Sequence, residues 1–219
     1  MRLDMHVHSK YSKDAITKPR TLVKRAAKLG IGIALTDHNT TKGWAETEKL
    51  AKKEGVPFIR GEEIKVFDNE TFIGELMGFF MQAHVKMGSH GEVTDALHSQ
   101  DALVSIPHPF DKLRVPRIFA HECAGGLDLV EVFNPRTHFE KYNKQAQRFA
   151  QRRNLPGIAG SDSHTPEELG NAYTEVEAET VEEARRAILK GRCTWNGRYA
   201  GRWVHVQTWL AKRGLLGER

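Results

Sequence analysis

Short apolar segments that alternate with amphipathic segments constrain the fold of this chain more than any other feature. The apolar segments at residues 31–36, 57–66, 72–80, 102–106, 127–133 and 157–160 predict strands. The segments at 18–29, 44–54, 93–99, 139–153 and 180–190 have the periodicity or the capping residues of helices. This alternation predicts a parallel α/β sheet, either closed as a barrel or open and doubly wound.

The leading strand, at residues 2–8, has two chemically different faces. Side chains of alternate strand residues share a face, so Asp4, His6 and His8 point one way while Leu3 and Met5 point the other. One face therefore suits a core and the other suits chemistry. Thr165, with proline next and glutamate three residues on, predicts a further helix start. The 219 residues contain no repeat or long linker, so we expect one domain over residues 1–219.

Acidic and imidazole side chains follow the predicted strands where each strand ends. These residues are Asp37, His38, Glu62, Glu63, His108, Glu131, Asp162 and His164. The carboxyl ends of parallel strands meet at one rim, which is where α/β folds build their sites. Because an isolated buried charge is costly, so many converging groups favour bound metal. Nitrogen and oxygen ligands without thiolates suit Zn, Mn or Fe, and several carboxylates suit more than one ion.

The two cysteines and the charge distribution limit the other possibilities. Cys123 and Cys193 are far apart and form no CxxC pair, so neither a disulfide framework nor a thiolate zinc site is predicted. The net charge of +5 comes entirely from residues 192–219, a basic segment with three of the four tryptophans. That segment could contact nucleic acid, but we favour a segment that packs its tryptophans and solvates its charges. The chain begins without a signal sequence and has no membrane-length apolar run, so we expect a cytoplasmic protein.

Five short motifs, in order, resemble those of the PHP (polymerase and histidinol phosphatase) family. They are Asp4-Met5-His6-Val7-His8-Ser9, Thr36-Asp37-His38-Asn39, Gly61-Glu62-Glu63-Ile64, Pro107-His108-Pro109 and Gly160-Ser161-Asp162-Ser163-His164. The resemblance implies a distorted (β/α)7 barrel of the PHP type, with two or three divalent metal ions at the strand ends. It places His6, His8, Glu63 and Asp162 on one ion, Glu63 and His108 on a second, and Asp14, His38 and His164 on a third.

Two ligand assignments, those of Glu63 and Glu75, need separate arguments. The alternation of side chains along the strand favours Glu63 over Glu62 as the ligand. Glu75 stands where many family members have a histidine ligand. A carboxylate can replace imidazole on a hard or borderline ion, so we expect Glu75 to be a ligand of the second ion. The alternative is a solvent-facing residue at the rim.

The resemblance implies hydrolysis of a phosphate ester. The four carboxylates of Asp14, Glu63, Glu75 and Asp162 carry four negative charges against six positive charges on three divalent ions, so a loaded site attracts phosphate. We expect Asp162, His164 and Asp37 to be catalytic residues, Asp37 by orienting a ligand. Glu131 either does the same or is structural.

We expect Arg114 and Arg136 to bind the phosphate oxygens, with Lys112 and Arg117 as alternatives. The implied substrates are a small phosphomonoester, a nucleoside bisphosphate or the end of an oligonucleotide, with neither a membrane nor an obligate protein partner. One alternative is an inactive metal-binding module in a nucleic-acid assembly. Another is an amidohydrolase, a family that also begins with a His-x-His strand but normally has further histidines on later strands.

Overall fold

The computed structural model describes residues 1–114, 125–201 and 203–217, so Arg117 and Cys123 lie outside the described residues. Nine strands are described: β1 (Arg2–Val7), β2 (Gly32–Leu35), β3 (Phe58–Asp68), β4 (Thr71–Phe79), β5 (Leu103–Ile106), β6 (Leu129–Phe133), β7 (Gly157–Ala159), β8 (Ala172–Val176) and β9 (Cys193–Gly197). The described helices are α1 (Pro19–Leu29), α2 (Trp44–Glu54), α3 (His90–His98), α4 (Glu140–Arg153), α5 (Val181–Leu189) and α6 (Trp203–Lys212).

The strands form one mixed sheet in the order β7-β6-β5-β4-β3-β2-β1-β8-β9. Strands β1 to β3 are parallel, and so are β5 to β7. The prediction of an all-parallel sheet is wrong at β4, which is antiparallel to both β3 and β5. The reason is local: β3 and β4 are joined through Asn69, whose left-handed backbone (φ 52°) allows a tight hairpin instead of a helical crossover.

The sheet curves into a nearly closed barrel, as the sequence predicts. The backbone that follows β7 lies against β1, where the Asp162 amide donates to the His6 carbonyl (2.7 Å) and the His8 amide donates to the Ser163 carbonyl (3.0 Å). These two hydrogen bonds form the seam of the barrel. Strands β8 and β9 extend the sheet beyond β1 and were not predicted.

The predicted helices form where their end signals are. The amide of Gly30, in the left-handed conformation (φ 62°), bonds to the Ala26 and Ala27 carbonyls and so ends α1. Thr180 and Glu183 form the capping box that begins α5. The predicted helix after Thr165 is a single 3-10 turn, Pro166–Glu168, although its capping box does form. Helix α6 has no prediction in the sequence analysis.

Two apolar clusters support the rim that carries the polar groups. One lies largely between the sheet and the helices and includes Leu22, Ile33 and Phe149. The second takes residues from each of β1 to β7 and from α5, so it fills the barrel at the amino ends of its strands. Both faces of β1 are buried, since His6 and His8 are as inaccessible as Leu3 and Met5. Within the described part of the chain, every helix is too short or too polar to cross a membrane.

Candidate metal centre

Four predicted ligands from β1, β3 and the end of β7 converge at the carboxyl rim of the barrel. The His6 and His8 Nε2 atoms lie 3.0 Å apart. Oε2 of Glu63 lies 3.4 Å from each of these nitrogens. Oδ1 of Asp162 lies 3.6 Å from His6 Nε2 and 3.4 Å from His8 Nε2. All four side chains are fully buried.

These separations test whether the four residues fit a metal. Four ligands about 2.1 Å from a tetrahedral ion are about 3.4 Å from one another. The five measured distances are 3.0 to 3.6 Å. Moreover, Glu63 Oε2 and Asp162 Oδ1 are buried and accept no well-aligned hydrogen bond from any residue that the structure describes. Because buried oxygens without partners are costly, the set fits a divalent ion.

The second predicted group lies beside the first and shares Glu63. The other Glu63 oxygen, Oε1, lies 3.2 Å from His108 Nε2. Glu75 on β4 brings Oε2 to 4.0 Å from His108 Nε2 and Oε1 to 3.7 Å from His38 Nδ1. Glu75 is buried rather than solvent-facing. Its position is therefore compatible with a ligand, and its role as one stays a prediction.

The third predicted group adjoins the other two, since His38 Nδ1 lies 3.0 Å from Glu63 Oε2. Oδ2 of Asp14 is 3.5 Å from Nε2 of both His38 and His164. The ring of His8 is 4.5 Å from each of these two imidazole rings, centroid to centroid. The sequence analysis thus names nine residues for three adjoining groups, and the structure brings all nine together.

Glu131 orients His6 from β6. Its Oε1 accepts the His6 Nδ1 hydrogen, with the two atoms 2.8 Å apart, and this bond turns Nε2 toward Glu63 and Asp162. Oε2 of the same carboxylate accepts from the His108 amide at 2.7 Å and from the Asn134 side chain at 3.0 Å. Of the two predicted roles for Glu131, these contacts favour the orienting one.

Asp37 acts on His8 through a serine. Its Oδ1 accepts from the Ser12 hydroxyl at 2.8 Å, and the Ser12 oxygen lies 3.2 Å from His8 Nδ1. The same oxygen accepts from the His38 amide at 3.0 Å. The hydrogen bonds described for the Asp37 carboxylate go to Ser9 and Ser12, and its carbonyl accepts from the Glu63 amide at 3.3 Å, so the structure favours a positioning role. Sequence reasoning missed Ser12, for which a single serine in a loop gives no signal.

The electrostatics of the cluster depend on its crowded opposite charges. Burial opposes charge on Glu63 and Asp162, but cationic neighbours hold the pKa of both carboxyls well below their usual range. Those neighbours are His6 and His38 for Glu63, and Arg114 and His6 for Asp162. Burial and the neighbouring imidazoles lower the pKa of His8 to about 3, so His8 is neutral. The ionised acids and the neutral His8 are in the forms that bind metals. Although burial opposes it, the neighbouring carboxylates raise the pKa of His6 and His38, so a metal ion must displace a proton from each of these two imidazoles.

The two predicted phosphate-binding arginines have different surroundings. Nη1 of Arg114 donates to Asp162 Oδ2 at 2.6 Å, and the side chain is about one-fifth exposed at the mouth of the site. Nη1 of Arg136 pairs with Glu168 (3.0 Å) and donates to the Asp162 carbonyl (3.3 Å), and its Nη2 donates to Thr208 on α6. That guanidinium is buried and connects α6, the 3-10 turn and the backbone of Asp162, and its role in phosphate binding stays a prediction.

A lysine that the sequence analysis did not single out reaches the third group. Nζ of Lys212, the last residue of α6, lies 3.3 Å from Asp14 Oδ2. The signal available in the sequence was the basic segment at 192–219, which pointed to nucleic acid or to solvent instead. Of its tryptophans, Trp195 stacks on Phe133 while Trp203 and Trp209 are exposed.

Glu62 shows that the choice between the adjacent glutamates has a structural basis. Its side chain points away from the cluster, and its Oε1 is 2.7 Å from His84 Nδ1. Glu63 points toward the cluster, as the alternation along β3 predicts.

Comparison with known proteins identifies the family. A model of the PHP domain matches residues 4–113, and a model described as PHP-associated matches residues 140–193. An uncharacterized protein of Methanocaldococcus jannaschii is 38% identical over 149 residues, which cover 61% of this chain and 82% of that protein. A 3',5'-nucleoside bisphosphate phosphatase of Chromobacterium violaceum is 39% identical over 64 residues, 29% of this chain and 22% of that enzyme.

The fold is also similar to that of a solved structure. A two-domain protein of Bacteroides vulgatus, described as containing a predicted PHP-like metal-dependent phosphoesterase, superposes with a TM-score of 0.75. The superposition covers 95% of this chain and 69% of that one, at 22% identity. Because the model of the PHP domain matches residues 4–113, which include four of the five motifs, this chain belongs to the PHP domain family.

Proposed function

We propose that the protein is a metal-dependent phosphoesterase that hydrolyses a phosphomonoester. The observation that carries the proposal is the set of buried histidine and carboxylate groups around Glu63, with Arg114 at the mouth. Divalent ions bound there would lower the pKa of a water molecule to about 7 and offset phosphate charge. Zn, Mn and Fe all suit these nitrogen and oxygen donors.

The residues of the chain have distinct tasks in this proposal. His6, His8, Glu63 and Asp162 hold one ion, and Glu63 connects it to the group that contains His108 and Glu75. Glu131 and Asp37 keep the imidazoles in the orientation that metal binding needs. Arg114, which bonds Asp162 at the mouth, is the side chain best placed to bind a phosphate oxygen.

The phosphomonoester class has support from the relatives. The Chromobacterium violaceum protein matched by this chain is a 3',5'-nucleoside bisphosphate phosphatase. A nucleoside bisphosphate is therefore the first compound to test. The complete ligand set favours an enzyme over the inactive-module alternative, because a module without chemistry has no need for all nine residues in register.

The test is phosphate release by protein loaded with Mn²⁺ or Zn²⁺, with metal content measured on the same samples. The panel should hold phosphomonoesters, nucleoside 3',5'-bisphosphates, short 5'-phosphorylated oligonucleotides and an amide series. We expect release from at least one phosphate ester, and its loss in Glu63→Gln. Metal-loaded protein that releases no phosphate, or that cleaves only amides, would refute the proposal.

A further inference from the structure

Helix α6 lies beside the metal centre and makes three polar contacts along its length, two with Arg136 and one with the predicted ligand Asp14. Near its start, the Val204 carbonyl accepts from Arg136. One turn later Thr208 accepts from the same guanidinium, and at the end Lys212 pairs with Asp14. Between these contacts the His205 ring stacks on His138, with centroids 4.5 Å apart and planes 15° apart.

The face of α6 that meets the metal centre is polar, which is the reverse of ordinary helix packing. Residues 204, 205, 208 and 212 lie within an arc of about 100°, since each residue advances about 100° around a helix. The outer side carries Trp203, Val206 and Trp209, which are 63%, 41% and 51% exposed. A helix normally buries its apolar face. The side-chain contacts of Thr208 with Arg136 and of Lys212 with Asp14 therefore help to position α6, beside the half-buried Val204.

Lys212 and Arg114 place positive charge on two sides of the ligand cluster. Arg114 bonds Asp162 in the first group, and Lys212 bonds Asp14 in the third. The Lys212 side chain is 58% exposed, so its flexible stem leaves the ammonium free to move a few ångströms. If Asp14 binds a divalent ion, the Lys212 ammonium lies close to the positive charge of that ion. An anion bound at the mouth reduces the repulsion between the two positive charges.

We propose that α6 forms one wall of the substrate site and that Lys212 binds an oxygen of the substrate's phosphate. This inference rests on the proposed phosphoesterase function. It makes Lys212 a specificity residue that the basic C-terminal segment supplies to the site.

The first experiment measures binding of inorganic phosphate to the Mn²⁺-loaded full-length protein by calorimetry. We expect Lys212→Ala to raise the Kd for phosphate about tenfold, as loss of one charge-assisted hydrogen bond predicts, with metal content unchanged. Lys212→Arg should restore most of the affinity. The matched control is Arg213→Ala, which removes the same charge from the next residue, where the side chain packs on Trp209 on the outer side.

Several results would overturn the inference. Equal effects of Lys212→Ala and Arg213→Ala would mean that only overall charge matters. Loss of metal from Lys212→Ala would make the lysine a structural part of the centre. If wild-type protein hydrolyses a phosphate ester and Lys212→Ala leaves its KM unchanged, the inference fails while the phosphoesterase function stands. If no ester is hydrolysed, the function fails, and phosphate binding still decides the role of Lys212.

Discussion

At the scale of single residues, Glu63 connects the predicted ligand groups of the candidate metal centre to one another. Its two oxygens contact His6, His8 and His38 on one side and His108 on the other. A bridging carboxylate of this kind links the occupancy of one ion to that of its neighbour. Removing different residues of the centre should therefore have different effects on metal binding. Glu75 and Glu131 provide two separate predictions.

Replacing Glu75 by alanine should remove one ion per chain. Its oxygens lie 3.7 Å from His38 and 4.0 Å from His108, so it completes the group that Glu63 shares. Elemental analysis of the purified variant measures the change. Glu70→Ala, in the exposed turn between β3 and β4, is the control and should retain wild-type content. Unchanged content in Glu75→Ala would take this residue out of the ligand set.

Replacing Glu131 by glutamine should weaken metal binding by about tenfold to a hundredfold, although no ligand is altered. An amide accepts the His6 hydrogen less strongly than a carboxylate does, and it cannot serve the His108 amide equally well. Metal titration against a competing chelator measures this. Glu62→Gln is matched, because Glu62 is also buried and bonded to a histidine, His84. Similar losses in both variants would mean that the effect is one of stability.

At the scale of elements, the barrel seam and helix α6 determine how the site is assembled. The seam depends on a close approach of two backbones. A Cβ atom on Gly160 would lie 2.3 Å from the His6 amide nitrogen, so glycine is required there. Helix α6, in contrast, is held by polar contacts and should respond to pH.

Gly160→Ala should destabilise the protein by about 1–3 kcal/mol, because the added methyl group forces β1 and the end of β7 apart. Urea unfolding at fixed metal concentration measures this free energy. Gly91→Ala in α3 is the control: a Cβ there meets no atom within 4 Å, so stability should be unchanged or higher. A Gly160→Ala variant as stable as wild type would contradict the role of the seam.

The docking of α6 should weaken as the pH falls from about 6.5 toward 4. Burial and the positive charge of Arg136, with His138 and Arg114 nearby and Asp162 opposing them, lower the pKa of His205 from 6.5 to about 4. The undocked helix therefore binds the proton more tightly, and acid favours it. Hydrogen exchange of α6 amides, corrected for the intrinsic pH dependence, measures docking. His205→Gln should remove this pH dependence, and a variant that keeps it would refute the mechanism.

At the scale of the whole molecule, we expect metal binding to be coupled to folding. The ligands come from β1, β3, β4 and the segments after β2, β5 and β7, so an ion ties together most of the barrel. Removing the metal with a chelator should lower Tm by roughly 5–10 °C per ion at a hundredfold excess over Kd. Differential scanning calorimetry at constant pH measures this, with Glu63→Gln as the variant that should no longer respond to chelator.

The sequence predicts the site better than it predicts the sheet. The resemblance to the PHP motifs implies His6, Glu63, His108 and Asp162 as ligands, and because the carboxyl ends of parallel strands meet at one rim, their convergence could be expected without coordinates. The direction of β4 could not be predicted, because the alternating side-chain pattern of a strand is the same in both directions. The short turn at Asn69 determines that direction. The partners of Arg136 and the docking of α6 depend on contacts between distant segments, which no local pattern encodes.

The seam between β1 and the end of β7 also limits when the metal centre can form during synthesis of the chain. His6 and Asp162, which face each other across it, are supplied near the beginning and about three quarters of the way along the sequence. During synthesis the two leading histidines therefore emerge long before the aspartate that completes their group. This group is complete only after Asp162 has been synthesised and the seam has formed, so an assembled site shows that the barrel has closed.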